Sequence, residues 1–132
     1  MVKKWIIMII IILIIAAGCV FESLYINNAF SSLEKDLCVY KTQIENTLES
    51  ELENSNIAEE IKTLHSHWHT KVPVLKCLIW HSGVKDIEVG MSRIQTYIKE
   101  NEKTEALAEI NSLIDYLKHY TEDFTITIEN IL

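Results

Sequence analysis

From Trp5 to Phe21 the chain reads WIIMIIIILIIAAGCVF, 17 consecutive residues without a charge, and no other feature limits its fold so strongly. As a helix rising about 1.5 Å per residue this run covers about 25 Å, most of a bilayer hydrocarbon core of about 30 Å. Lys3, Lys4 and the α-amino group precede it, and the next charge is Glu22. The excess of positive charge ahead of a span stays on the cytoplasmic side, so the expected arrangement is a cytoplasmic N-terminus and an extracytoplasmic remainder beyond position 25. Helix-forming sequence follows directly, without a flexible linker, which favours a retained anchor over a cleaved secretory signal. A lipoprotein attached through Cys19 is the alternative, because Ala16-Ala17-Gly18-Cys19 has the small residues of a lipobox. Against it, Ala16 stands where leucine is usual, and Val20-Phe21 continues the apolar run where lipoproteins turn polar.

The remaining 111 residues suffice for one modest core without metals or disulfides. The whole chain carries a net charge of −7; Lys3 and Lys4 are the only charges in the first 21 residues, so the rest stands at −9. Basic residues are scattered among more numerous Glu and Asp, which argues against nucleic-acid binding, since that needs clustered Lys and Arg to displace counterions. One Pro and three Gly, amid abundant Ile, Leu, Glu, Lys and Ala, point to long helices rather than sheets.

Apolar spacing then predicts about four helices. Leu33, Leu37, Tyr40, Ile44, Leu48 and Leu52 recur at steps of three and four, the spacing of one helix face, and predict a first helix running to about Glu53. Asn54, Ser55 and Asn56 form a polar break with Ser55 as N-cap candidate, followed by a second stripe of Ile57, Ile61, Leu64, Trp68 and Leu75. Pro73 removes a backbone donor and clashes with the preceding turn, so a kink or break is expected near Val72, with Leu75 to Trp80 as a short separate piece. Ser82-Gly83 opens a third helix bearing Val84, Ile87, Met91, Ile94 and Ile98; Asn101 to Lys103 turn the chain; a fourth helix bears Ala106, Ile110, Leu113, Leu117 and Tyr120. The last two should pair as an antiparallel hairpin with their apolar seams facing. Phe124 to Ile128 alternates with period two, compatible with a strand, yet a lone strand has no partner, so a tail packed along the bundle is expected.

Several of these stretches, in this order and spacing, resemble the bacterial family called domain of unknown function 4363. They are Tyr25-Ile26-Asn27-Asn28 after the anchor, Trp68 late in the second helix, the Trp80-His81 junction, and Ile87-Glu88 opening the third helix. Arg93 to Ile98, Leu117-Lys118-His119 and the terminal Glu129-Asn130-Ile131 complete the set. The resemblance covers nearly the whole chain and implies a short membrane-anchored helical protein of the kind found in spore-forming and related Firmicutes; it implies no activity. The HSHWH cluster and Cys19 depart from the family's usual pattern, so any role for them would be peculiar to this chain or its close relatives.

Candidate sites centre on histidine and tryptophan. Of His65, His67 and His69, only His65 and His69 share a helix face, giving a two-ligand metal clamp at most, and Ser66 stands where a zinc-protease motif needs Glu. Solvated flanking of Trp68 is the plainer use of these imidazoles. His81 and His119 fall near each other if the third and fourth helices are antiparallel, and with Trp68 and Trp80 they form a candidate ligand pocket. Alternatively, they cap and pack, with a protonated His119 favoured by the negative end of the fourth helix. Cys38 and Cys77 are out of register for a disulfide and are expected as buried free thiols. The acidic stretch Glu45 to Glu60 reads as a solvated face. No phosphate-cradling loop, nucleophile elbow or acid pair is recognisable, and no cofactor is expected.

The sequence thus predicts an all-α protein: a membrane anchor over residues 1–25, its helix continuing into an antiparallel bundle of about four helices, two helical hairpins, over 26–132. The expected function is that of a non-enzymatic, single-pass cell-membrane protein whose extracytoplasmic domain serves as an interaction or scaffold module, with an exposed apolar patch for a protein partner. A ligand or metal sensor built on the His and Trp cluster is the alternative.

Overall fold

The computed structural model describes the backbone of residues 1–129 and the side chains of residues 1–122. It contains four helices: α1 (Val2–Asn46), α2 (Ile57–Leu78), α3 (His81–Lys99) and α4 (Lys103–Glu129). Each packs on two neighbours, α1 on α2, α2 on α3, α3 on α4 and α4 back on α1, closing an up-and-down bundle.

Helix α1 is continuous for 45 residues, and its two halves differ in kind. In the first half every side chain from Met1 to Phe21 is exposed, and the most apolar window has none of its surface covered by the protein. In the second half Ile26, Ala29, Phe30, Leu33, Leu37 and Ile44 follow one another on a single face, all at or below 4% exposure. One helix therefore enters the bundle as a core element after leaving a segment that the fold does nothing to shelter.

The other stripes behave as their periodicity requires. Ile57, Ile61, Leu64, Trp68 and Leu75 of α2 are buried; so are Val84, Ile87, Met91, Ile94 and Ile98 of α3, and Ala106, Ile110, Leu113 and Leu117 of α4. Phe30 joins the helices at mid-height: its ring stacks on Trp68, centroids 5.8 Å apart, and meets the edge of Tyr120 at 4.8 Å. Gly90 lets α3 approach α4 closely, because a Cβ there would stand 2.8 Å from Leu113 Cδ2.

Four local readings are revised. The first helix ends at Asn46, not near Glu53: Thr47 is extended, a single 3₁₀ turn covers Glu49–Glu51, and Leu48 projects outward at 65% exposure, leaving Leu52 alone to return to the core. Pro73 neither breaks nor splits α2, which runs unbroken to Leu78. Pro73 and His69, whose carbonyl loses its usual donor four residues on, are both exposed, so water can satisfy that oxygen. The segment from Phe124 to Ile128 belongs to α4 and is not a strand; its period-two pattern is overridden by continuation of the helix. How those side chains pack, and the Asn130-Ile131 part of the terminal motif, lie outside the described residues. Ser55 does not cap α2 either; Asn56 is at that position, and the Ser55 hydroxyl donates to the Leu52 carbonyl at 2.6 Å.

The end of the bundle farthest from the apolar segment is fastened by polar contacts. The Lys103 ammonium donates to the carbonyls of Glu45 (2.8 Å) and Thr47 (2.7 Å), oxygens left without partners where α1 stops. Asn101 adopts φ 58°, the left-handed geometry that closes α3, with Glu102 N–H returning to the Tyr97 carbonyl and Asn101 N–H to that of Ile98. Its side-chain carbonyl then receives the Glu53 N–H at 2.8 Å, joining the two loops at this end.

Candidate functional site

A groove of ≈ 580 Å³ runs between α2 and α3. It arises because the core stripes of α2 and α3 leave the next face of each helix unopposed. His65 and His69 rise from α2, one helical turn apart; Lys85, Glu88, Arg93 and Tyr97 come from α3. The His69 Nδ1–H donates to Glu88 Oε1 at 2.6 Å, and the Gln95 amide N–H donates to His65 Nδ1 at 3.1 Å. Arg93 lies 3.7 Å from Glu109 of α4. The groove is thus lined by mixed charge, with Glu88 and Arg93 already paired across helices.

These hydrogen bonds fix ring chemistry. In a neutral His69 ring whose Nδ1–H is engaged by Glu88, the lone pair of Nε2 is directed outward, the arrangement a metal-binding imidazole adopts. His65 is in the opposite state: its Nδ1 lone pair is taken by Gln95, so its proton sits on Nε2. Burial is the main cause holding the His65 pKa below its ordinary 6.5; His69 pushes the same way, and Glu88 opposes. The pair shares a face as its spacing requires, but only one ring offers a free nitrogen lone pair. Among the described residues no three His, Cys, Asp or Glu side chains gather where they could hold one ion.

The four-residue pocket of Trp68, Trp80, His81 and His119 is not assembled in this way. Trp68 is 2% exposed in the core, whereas Trp80 is 87% exposed at the α2–α3 corner, so the two indoles share no lining. The Trp68 Nε1–H is buried without a hydrogen-bond partner among the described residues. His81 is exposed at the first position of α3. His119 is exposed and donates through Nδ1 to the Asp115 carbonyl at 2.8 Å within its own helix. Because α4 continues to Glu129, His119 lies in mid-helix, ten residues short of the end it was expected to cap. His67 points away from the groove, into a crevice against α1 with Asp36 and Tyr40. Cys19, Cys38 and Cys77 are free thiols, and all three are exposed, not buried.

Outside the N-terminal segment the exposed large apolar side chains among the described residues are Val39, Leu48, Val74, Trp80 and Val89, dispersed over the bundle rather than gathered in the patch expected for a partner. Glu88 and the stretch Arg93 to Ile98 carry the family resemblance, but sequence reasoning did not single them out as site residues. Glu88 and Gln95 are seven residues apart, one place beyond the core positions Ile87 and Ile94, and that register was the available signal.

A family model described as a domain of unknown function (DUF4363) matches residues 23–131. No curated protein and no solved structure matches the chain.

Proposed function

Since the chain belongs to the family of the domain of unknown function DUF4363, a name that carries no activity, we propose from its geometry that it is a single-pass membrane protein presenting a helical interaction module outside the cytoplasm. The observation that carries this reading is α1: its apolar half is entirely uncovered, while its other half is core. Exposing such a segment to water is strongly unfavourable, at about 25 cal/mol for each Å² of apolar surface, and a bilayer removes that cost. Lys3 and Lys4 favour the orientation with the bundle outside.

The module binds a protein partner through the α2–α3 groove in this reading. Lys85, Glu88, Arg93 and Tyr97 offer both signs of charge and an aromatic ring on rigid helices, a surface suited to a polar partner segment rather than to a reaction. No enzymatic role is proposed.

Topology is tested with the native thiols. Cys38 is exposed on the bundle, whereas Cys19 lies within the apolar run. In intact cells a membrane-impermeant maleimide should label the protein through Cys38, and a Cys38→Ser, Cys77→Ser double variant should lose the label. Labelling that required permeabilised cells would reverse the orientation, and recovery of the full chain without membranes would remove the anchor. For the groove, a photo-cross-linking residue at Ser92 should capture a partner that one at Thr63, which lines the crevice on the α1 side of α2, does not.

A further inference from the structure

We propose that the corner between α2 and α3, with Trp80 at its tip, is seated in the headgroup layer of the same bilayer that holds α1. The bundle then touches the membrane at a second point instead of hanging from a single helix. This inference rests on the anchored reading above and adds a contact to it.

Helical register places the corner at the right height. One crevice between α1 and α2 is lined by Ala29 to Asp36 and Leu64 to Lys71, and the next by Asp36, Tyr40, Glu60 and Leu64, so the two helices run antiparallel, rising numbers on α1 matched by falling numbers on α2. Phe30 and Trp68 mark a common level. Ten residues from Trp68 along α2 is Leu78, its last residue; ten residues back from Phe30 along α1 is Val20. Both steps span about 15 Å, so α2 ends level with the close of the apolar run. Trp80 lies just past that end, where hydrocarbon gives way to headgroups if Trp5 to Phe21 crosses the core.

Chemistry agrees with position. Trp80 is the most exposed large apolar side chain outside the N-terminal segment among the described residues, at 87%. Tryptophan is enriched at membrane interfaces because its ring is apolar and its N–H remains wet. Ile79 beside it is only half covered, and Val74, lower on α2, is also open. From Lys76 to Lys85 the chain reads KCLIWHSGVK, with two exposed lysines and no carboxylate, in a domain whose net charge is strongly negative. A cationic, Trp-tipped corner on an acidic bundle complements anionic lipid headgroups.

Fluorescence quenching in the reconstituted full chain tests this. A Trp5→Phe variant in vesicles of phosphatidylcholine and phosphatidylglycerol keeps two indoles, of which buried Trp68 is sheltered from quenchers on either side. Lipids brominated near the top of their acyl chains should remove most of the Trp80 share of the emission, lipids brominated near the chain ends should remove little, and aqueous iodide should remove little. A Trp5→Phe, Trp80→Phe variant should lose the bromolipid response altogether. Strong iodide quenching with no bromolipid effect, in protein that floats with the vesicles, would overturn the seated corner while leaving the anchor intact; so would capture of Trp80 by a protein partner that shields it from both quenchers. A Trp80→Phe variant read through Trp5 separates the two ideas. Trp5 insensitive to every bromolipid, in protein that fails to float, would overturn the anchor and the corner together.

Discussion

Replacing Gly90 by alanine puts the closeness of α3 and α4 to a quantitative test. In an ordinary helix interior this change stabilises by about 1 kcal/mol, because glycine loses more backbone freedom on folding. Here the added Cβ would lie 2.8 Å, 2.9 Å and 3.0 Å from Cδ2, Cδ1 and Cγ of Leu113. The third contact matters most, since Cγ cannot swing aside by a simple rotamer change at the tip. Leu113 is itself buried, with Ile110, Ile114 and Leu117 filling its surroundings, so it has nowhere to retreat. Overpacking of this kind costs about 1–3 kcal/mol. Subtracting the propensity gain leaves a net destabilisation of about 1 kcal/mol, or a fall in Tm of about 4–8 °C. Thermal unfolding of the full chain in detergent micelles measures it, followed by near-ultraviolet circular dichroism, which reports the packed rings of Phe30, Trp68 and Tyr120 rather than the helicity of the apolar segment. A Leu113→Ala change in the same background should restore room, so the double variant loses less than the two single losses together, with a coupling of about 1 kcal/mol. A Gly90→Ala variant that melted higher than the parent, or strict additivity in the double, would refute the close approach. Gly83→Ala makes the contrast: its Cβ meets only the hydroxyl of Tyr116, the movable end of a half-buried side chain, and should be tolerated.

Trp68→Ala should cost about 3–5 kcal/mol, as a large buried ring is lost, whereas Trp80→Ala should stay within about 0.5 kcal/mol in micelles; the same melts report both. Asn101→Ala should destabilise by about 2 kcal/mol, combining left-handed backbone strain with the lost bond to Glu53, while Asn101→Gly should lose only about 1 kcal/mol, as urea unfolding would show. Because burial holds the folded His65 pKa below 6.5, the unfolded chain binds the extra proton more readily; stability should rise with pH from the folded pKa up to about 6.5 and level off above it. His65→Gln should flatten that limb in unfolding curves taken across the window. Zinc should leave Tm unchanged, since of the His65 and His69 pair only His69 presents a free imidazole lone pair; a concentration-dependent rise lost in His65→Gln would show that His65 can exchange its Gln95 bond for a metal.

Much of the fold was legible because it rests on periodicity. The stripes on α3 and α4 named every core position those helices use among the described residues except Ile114 and Gly90, and the charge-free run announced the uncovered half of α1. Boundaries were less legible. Leu48 and Leu52 keep the helical step of the preceding residues, so nothing local marks the turn at Thr47. What stabilises it is Lys103, more than fifty residues away, gripping the carbonyls that α1 leaves open. Pro73 misled in the other direction, since a proline on a solvated face costs a hydrogen bond that water replaces, and the buried stripe of Val72 and Leu75 holds the helix together across it. The pairing of His65 and His69 on one face followed from spacing, but their unlike tautomers depend on Gln95 and Glu88, contributed by another helix. The grouping of Trp68, Trp80, His81 and His119 is not gathered into one lining because one tryptophan points inward and the other out, a choice of face that the spacing of the two residues does not announce.

The unbroken course of α1 gives the molecule the mechanics of a lever. From Glu22 to Asn46 the helix extends about 37 Å beyond the apolar run, with no hinge residue between. If the apolar run spans a bilayer as proposed, rocking such a shaft by about 10°, well inside the range over which transmembrane helices tilt as bilayer thickness changes, would carry its far tip sideways by about 6 Å. With Lys103 clasping that tip, the loop between α3 and α4 would travel with it, so a change in the lipid would reach the opposite pole of the protein as displacement rather than as slack.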